Sequence, residues 1–274
     1  CTRGEARQAR RRTAMKPSRV LVLMHESLVP PASLEGLSDK EIDEFRTEYD
    51  VTATLEKCGH EVKALGLGDN LAELRSVVTD WKPEVAFNLL EEFQGIVTYD
   101  QYVVAFLELM KLPYTGCNPR GMMISRDKAL SKQILAYHRI PTPGFAVFRK
   151  GQRYRVPRRL KYPLFVKSAT EDASLGISQA SLVPDLERLK ERIEFIHEQT
   201  NSDALVEEYI EGRELYVSVL GNERLRVLPI WELEFGDMAQ NIATERAKLR
   251  DSRIGLISAM VVPFSGVIPL PGSV

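Results

Sequence analysis

Three short apolar runs in the first third of the chain restrict its fold more than any other feature. Arg19-Val-Leu-Val-Leu-Met24, Glu61 to Leu65 and Val85-Ala-Phe-Asn-Leu-Leu90 each have the length and composition of a buried strand. Stretches of helical period lie between and after them. Ser38-Asp-Lys-Glu41 has capping-box spacing. Ile42, Phe45 and Tyr49 carry that helix toward Gly59, a residue suited to end it. Leu71, Leu74 and Val78 predict a second helix that stops before Pro83, and Tyr99 to Lys111 a third. Strands that alternate with helices in this way call for a parallel sheet with helices on its faces.

From Ser125 the pattern changes. Ser125 is placed to cap a helix with Leu130, Ile134 and Tyr137 on one side, ended by Pro141 and Pro143. Phe145 to Phe148, Leu164 to Ser168 and Ile177 to Leu182 read as strands. Pro184 stands in the first turn of a helix whose stripe is Leu186, Leu189, Ile193 and Ile196. Ala204 to Ile210, Arg213 to Leu220 and Arg224 to Phe235 are three further strands, with Gly221-Asn222 as a hairpin signal. The predicted class is α/β, a Rossmann-like parallel-sheet half followed by a mixed, mostly antiparallel α+β half.

Length and charge agree with that division. At roughly 150 residues per domain, 274 residues make about two domains. A hydrophobic content of 44% excludes wholesale disorder. With 37 Lys+Arg against 38 Asp+Glu, overall basicity cannot drive nucleic-acid binding. No apolar run reaches the ~18 residues that would span a bilayer, and Ile254 to Val262 is too short. Cys1, Cys58 and Cys117 are odd in number and far apart, which points to a reducing, cytoplasmic compartment. Residues 1 to 14 hold five arginines and a single acid; upstream read-through before Met15 is the preferred account over a transit peptide.

Two segments carry candidate chemistry. In Tyr162-Pro-Leu-Phe-Val-Lys167, a lysine follows an apolar strand and needs an anion if it is enclosed. The small polar loop after it contains Ser174 and Gly176, which can bring backbone N–H groups to phosphate oxygens. Taken alone, Lys167 is most simply a lysine at a strand end. In Leu205-Val-Glu207-Glu208-Tyr209-Ile210-Glu211-Gly212-Arg213-Glu214, four glutamates crowd a strand, a residue type that strands deplete. A charged edge strand is the plain account. A hinge beside a nucleotide is the sharper one. His60, His138 and His197 read as solvated, Cys117 as a turn residue, and the arginines from 153 to 159 as a solvated loop.

In their order and separation, Ser125-Arg-Asp-Lys128, Phe-Val-Lys167, the Ser174/Gly176 loop and Val-Glu-Glu-Tyr-Ile-Glu-Gly-Arg-Glu214 resemble the ATP-grasp ligases, of the D-alanine–D-alanine ligase type. Phe87-Asn88-Leu89-Leu90 and Leu112-Pro-Tyr-Thr-Gly116 are similar to that family's segments upstream, so the resemblance covers about residues 18 to 250. It implies a Rossmann-like domain over 18–120 and an ATP-grasp domain over 121–256. The latter would be incomplete at its C-terminal side. A basic leader over 1–17, expected to be disordered, and an irregular tail over 257–274 would flank them.

Position by position, the resemblance implies that Lys128 and Lys167 contact the nucleotide phosphates and that the loop through Ser174 and Gly176 closes over them. Glu207 and the backbone of Glu208 and Ile210 would bind adenine, and Glu214 the ribose. Lys248 would reach the γ-phosphate, and Glu26 stands where the family has an acidic substrate-binding residue. ATP and Mg²⁺ are the implied cofactors. The family's Glu-x-Asn metal motif, however, does not occur among the 26 residues after Lys248 (274 − 248), where Asp251 is the single carboxylate side chain. The implied function is ATP-dependent carboxylate–amine ligation through an acyl phosphate, impaired in this chain by the missing metal ligands. Another ATP-grasp amino-acid or peptide ligase and a non-catalytic nucleotide-binding protein remain the alternatives. Small amino-acid-like substrates are the expected partners, with a homodimer left open and neither nucleic acid nor membrane.

Overall fold

In the computed structural model, residues 16–31, 33–171 and 177–233 are described. By its internal contacts the chain divides into two units, 1–94 with 106–115 and 95–105 with 116–274.

The first unit is built on the three apolar runs. β1 (Arg19–His25) is followed by a 3₁₀ turn, Glu26–Leu28, and then by α1 (Asp39–Glu44) and α2 (Arg46–Lys57). β2 (Glu61–Leu67), α3 (Ala72–Asp80) and β3 (Val85–Asn88) complete the alternation. The strands pair in parallel in the order β2-β1-β3, with Leu21 opposite both Lys63 and Ala86. Central β1 is the most enclosed, with Val20 through Met24 all buried. On one face Val20, Val22 and Met24 pack with Val51 and Leu55 of α2. The Leu112-Pro-Tyr-Thr segment runs alongside β3: Ala86 N–H donates to Pro113 O at 2.8 Å and Thr115 N–H to Ala86 O at 2.9 Å. Thr115 Oγ1 also accepts from Asn88 N–H at 2.9 Å, joining the two upstream motifs directly.

The capping box at Ser38 forms as its spacing predicts. The single helix expected from there to Gly59 is two helices. Phe45 leaves α-helical geometry (φ −124°, ψ 19°), and its N–H closes a short turn on Ile42 O. That i→i−3 bond is the tighter 3₁₀ kind with which helices end.

α4 (Asp100–Leu109) is shared between the two units, and α5 (Pro119–Arg126), α6 (Lys128–Tyr137), β4 (Phe145–Phe148) and β5 (Leu164–Ser168) follow. Next come β6 (Leu182–Val183), α7 (Leu186–Gln199) and β7 (Ala204–Glu208). β4, β7, β5 and β6 form one antiparallel sheet in that order. Leu164 and Val166 of β5 and Ala204 and Val206 of β7 turn one face to Leu189, Ile193 and Ile196 of α7. Beyond this sheet, β8 (Glu214–Tyr216) pairs with β11 (Trp231–Leu233) and β9 (Val219–Leu220) with β10 (Arg226–Val227). The β9–β10 hairpin turns at Gly221, whose φ of +116° favours glycine.

Four local expectations are corrected in this unit. Asp127, not Ser125, caps α6: its carboxylate accepts from Leu130 N–H at 2.9 Å, while Ser125 lies within α5. Residues 177–182 hold a 3₁₀ turn, Gln179–Ser181, before the short β6, so the expected strand shrinks to its last residues. Pro184 precedes the cap of α7, which is Asp185, and does not stand in the first turn. Leu186 is exposed although it continues the apolar spacing, because it opens the helix before the stripe reaches the sheet.

Candidate functional site

Alternation along two neighbouring strands creates the site. Leu164, Val166 and Ser168 of β5 turn toward the buried side, which leaves Phe165 and Lys167 on the opposite face. On β7, Ala204 and Val206 belong to the core against α7, so Leu205 and Glu207 share the face of Lys167. The antiparallel register sets Phe165 opposite Glu207 and Lys167 opposite Leu205. Lys167 and Glu207 are therefore diagonal neighbours within reach of each other.

They meet as an ion pair, with Lys167 Nζ 2.5 Å from Glu207 Oε1. A second lysine completes the cluster: Lys132 Nζ lies 2.7 Å from Glu207 Oε2. The Lys132 ammonium also stands 5.5 Å from the centre of the Phe145 ring, a cation–π arrangement. Burial raises the Glu207 carboxyl, but the two ammonium groups outweigh it and hold the acid below its ordinary range. Lys128 begins the helix that carries Lys132, four residues earlier, so the two lie on one side of it. Its backbone N–H donates to Ala169 O at 3.2 Å and its Nζ to Glu171 O at 2.5 Å, at the end of β5.

The corner that presents Lys128 is pinned two residues earlier. Arg126 donates through Nη2 and Nε to Asp100 Oδ2 at 2.6 and 3.1 Å, and Asp100 is almost wholly enclosed. Lys132, Arg126 and Asp100 were not singled out from the sequence. For Lys132 a signal existed, its i+4 spacing from Lys128; the Asp100–Arg126 pairing has no local one.

The other expected residues fall as follows. Glu208 closes β7, donating its N–H to Gly144 O at 2.9 Å and accepting Lys161 N–H on its carboxylate at 3.0 Å. Ile210 is exposed just beyond the strand. Glu214 sits on the separate β8–β11 pair and accepts the Tyr216 hydroxyl at 2.8 Å, and no described hydrogen bond or ion pair joins it to the lysine cluster. Burial, with that carboxylate beside it, pushes the Tyr216 phenol up. Glu26 belongs to the first unit, at the start of the 3₁₀ turn. Its carboxylate lies against Gly68, where an added Cβ would come within 2.3 Å of Oε2 and the Glu26 side chain would have to shift. Ser174, Gly176 and Lys248 lie outside the described residues.

The remaining candidates keep modest roles. Burial pushes the Cys117 thiol up, opposite to what an activated nucleophile needs. His197 is not solvated as expected: it is half-buried, and its Nε2 donates to Phe148 O at 2.8 Å. A cavity of about 770 Å³ borders a different side of α6, at Ala129, Leu130 and Gln133, and is not lined by Lys128, Lys132 or Lys167. No group of three His, Cys, Asp or Glu side chains among the described residues could hold a metal ion. None of the described helices is long and apolar enough to cross a membrane.

Comparison with known proteins gives concordant results. Residues 134–254 match the family described as D-ala D-ala ligase C-terminus. An uncharacterised protein of Sinorhizobium fredii is 36% identical over 205 residues, covering 72% of this chain and 59% of that protein. A D-alanine–D-alanine ligase of Syntrophotalea carbinolica is 36% identical over 199 residues, covering 71% of this chain and 60% of the ligase. The chain thus matches about three fifths of the length of these curated relatives. Among solved structures, the D-alanine–D-alanine ligase of Bacillus anthracis complexed with ATP superimposes with a TM-score of 0.60 at 22% identity. That match covers 90% of this chain and 79% of the other. The ligase of Coxiella burnetii gives 0.56 at 16% identity, covering 88% and 77%. These likenesses show the α/β fold expected from the sequence.

Proposed function

Because the chain belongs to the D-alanine–D-alanine ligase-like family of ATP-grasp proteins, we propose that it binds ATP on the lysine-bearing face of its antiparallel sheet and serves ATP-dependent carboxylate–amine ligation. The observation that carries this reading is the Lys132–Glu207–Lys167 cluster. One carboxylate faces two ammonium groups, which leaves a positive charge in excess on a largely enclosed face. Lys128 stands one turn earlier on the same helix. Charge removed from water is costly unless it is met by a partner. A triphosphate supplies that partner, and the ligases among the relatives support the choice.

In this reading Lys128 and Lys167 neutralise phosphate oxygens, the main service a protein gives to phosphoryl transfer. Both oxygens of Glu207 are engaged by lysines, so its part is to hold the cluster. Adenine falls to the backbone at the end of β7. The Glu208 N–H is already committed to Gly144, which leaves its carbonyl, with the Ile210 N–H beyond it. Glu214 is assigned to the ribose and Glu26 to the amino-acid substrate. Ser174 and Gly176 are assigned to the loop over the phosphates, and Lys248 to the γ-phosphate. The chemistry is attack of a substrate carboxylate on the γ-phosphate, with ADP leaving, and displacement of phosphate from the resulting acyl phosphate by an amine.

Mg²⁺, in such a reaction, would neutralise charge on the phosphate groups. The residues present do not fit it: no described cluster could ligate a metal, and no Glu-x-Asn triplet follows Lys248. Free Cys58 and Cys117 suit a cytoplasmic setting.

Calorimetric titration of the chain with ATP tests the proposal. Wild type is expected to bind, and Lys167→Met to bind about tenfold more weakly, a loss of ~1.4 kcal/mol. Absence of binding by wild type, or equal binding by the variant, overturns it. Release of ADP that depends on an added pair of amino acids would separate a ligase from a non-catalytic nucleotide binder.

A further inference from the structure

We propose that Lys132 is a positioning residue for Lys167: by holding one oxygen of Glu207, it leaves the Lys167 ammonium available to the phosphates of ATP. This deepens the ATP reading and rests on it. The two lysines divide one carboxylate, Lys132 on Oε2 at 2.7 Å and Lys167 on Oε1 at 2.5 Å. Their side chains are not equally enclosed. Lys132 is 12% exposed and Lys167 22%, with Glu207 at 11% between them. Lys132 is thus the inner ammonium, backed by the face of Phe145, and Lys167 the outer one.

A carboxylate with one ammonium partner in such surroundings forms a neutral pair, and the weak screening of the interior holds the two together. Lys167 alone with Glu207 would be retained by it. A second ammonium on the same carboxylate weakens that hold and leaves the cluster positive. The Phe145 ring stabilises the inner cation where it is, so the lysine free to turn toward an incoming anion is the outer one. The backbone supports the same division. Lys132 is fixed one turn into α6, whose start is anchored by the Asp127 cap and the Lys128 N–H bond to Ala169. Lys167 projects from the next-to-last residue of β5. Lys132 need not touch the nucleotide to act.

The test compares ATP with adenosine on the full chain. Lys132→Met is expected to weaken ATP binding about tenfold while adenosine binding stays within about twofold, the size of one screened charge interaction. Lys132→Arg is expected to restore ATP affinity to within about threefold. A merely structural lysine would weaken both ligands alike. If Lys132→Met binds ATP as wild type does, or loses adenosine equally, the inference is overturned while the ATP reading stands. If wild type binds no ATP, both fall. Should circular dichroism show Lys132→Met unfolded, Lys132→Gln replaces it with the same expected split between the ligands.

Discussion

Glu207 is the residue on which the site turns, and its acidity makes a pH signature. Its folded pKa lies below the ordinary carboxylate value because Lys167 and Lys132 outweigh its burial. As pH falls, the unfolded chain takes up this proton first, so the stabilisation is complete above about pH 4.3 and drains away as pH drops through the folded value. Glu207→Gln leaves two ammonium groups without a countercharge, and urea unfolding at pH 7 is expected to show a loss on the order of 3 kcal/mol. The difference between variant and wild type should narrow on acidification below about pH 4. A gap that is constant with pH would contradict the ion-pair account. The individual lysines were legible: Lys167 ends an apolar run and Lys128 opens a helix. Their meeting at Glu207 was not. It depends on the register between strands 40 residues apart, which no local pattern specifies.

The sheet that aligns Lys167 with Glu207 is held by the stripe on α7. Leu189, Ile193 and Ile196 are fully buried against its other face. Ile193→Ala is expected to cost about 3 kcal/mol in chemical denaturation, through lost burial and the cavity left behind. A cost below ~1 kcal/mol would mean that the helix does not anchor the sheet. At this scale the apolar strands read clearly, and Phe145–Phe148 and Leu164–Ser168 form as their composition predicts. Helix starts read less well. Ser125 and Asp127 are both good caps two residues apart, and the pinning of Arg126 by Asp100 makes Asp127 the corner. Pro184 and Asp185 compete in the same way, and the residue with a carboxylate to offer Arg188 N–H takes the cap.

Over the whole chain, the change from strand–helix alternation to antiparallel pairing was visible in the sequence because the two arrangements impose different spacings. The assignment of 95–105 to the second unit and 106–115 to the first was not, since α4 runs through that point without a break in its pattern. In the proposed function Lys128 and Lys167 converge on one triphosphate, with Lys132 behind them on Glu207. Lysine acylation rates, followed by mass spectrometry with and without ATP, test this most directly. The account predicts that ATP slows Lys128 and Lys167 together, that adenosine does not, and that exposed Lys57 and Lys190 are indifferent to both. Protection of neither, or of one without the other, would contradict it.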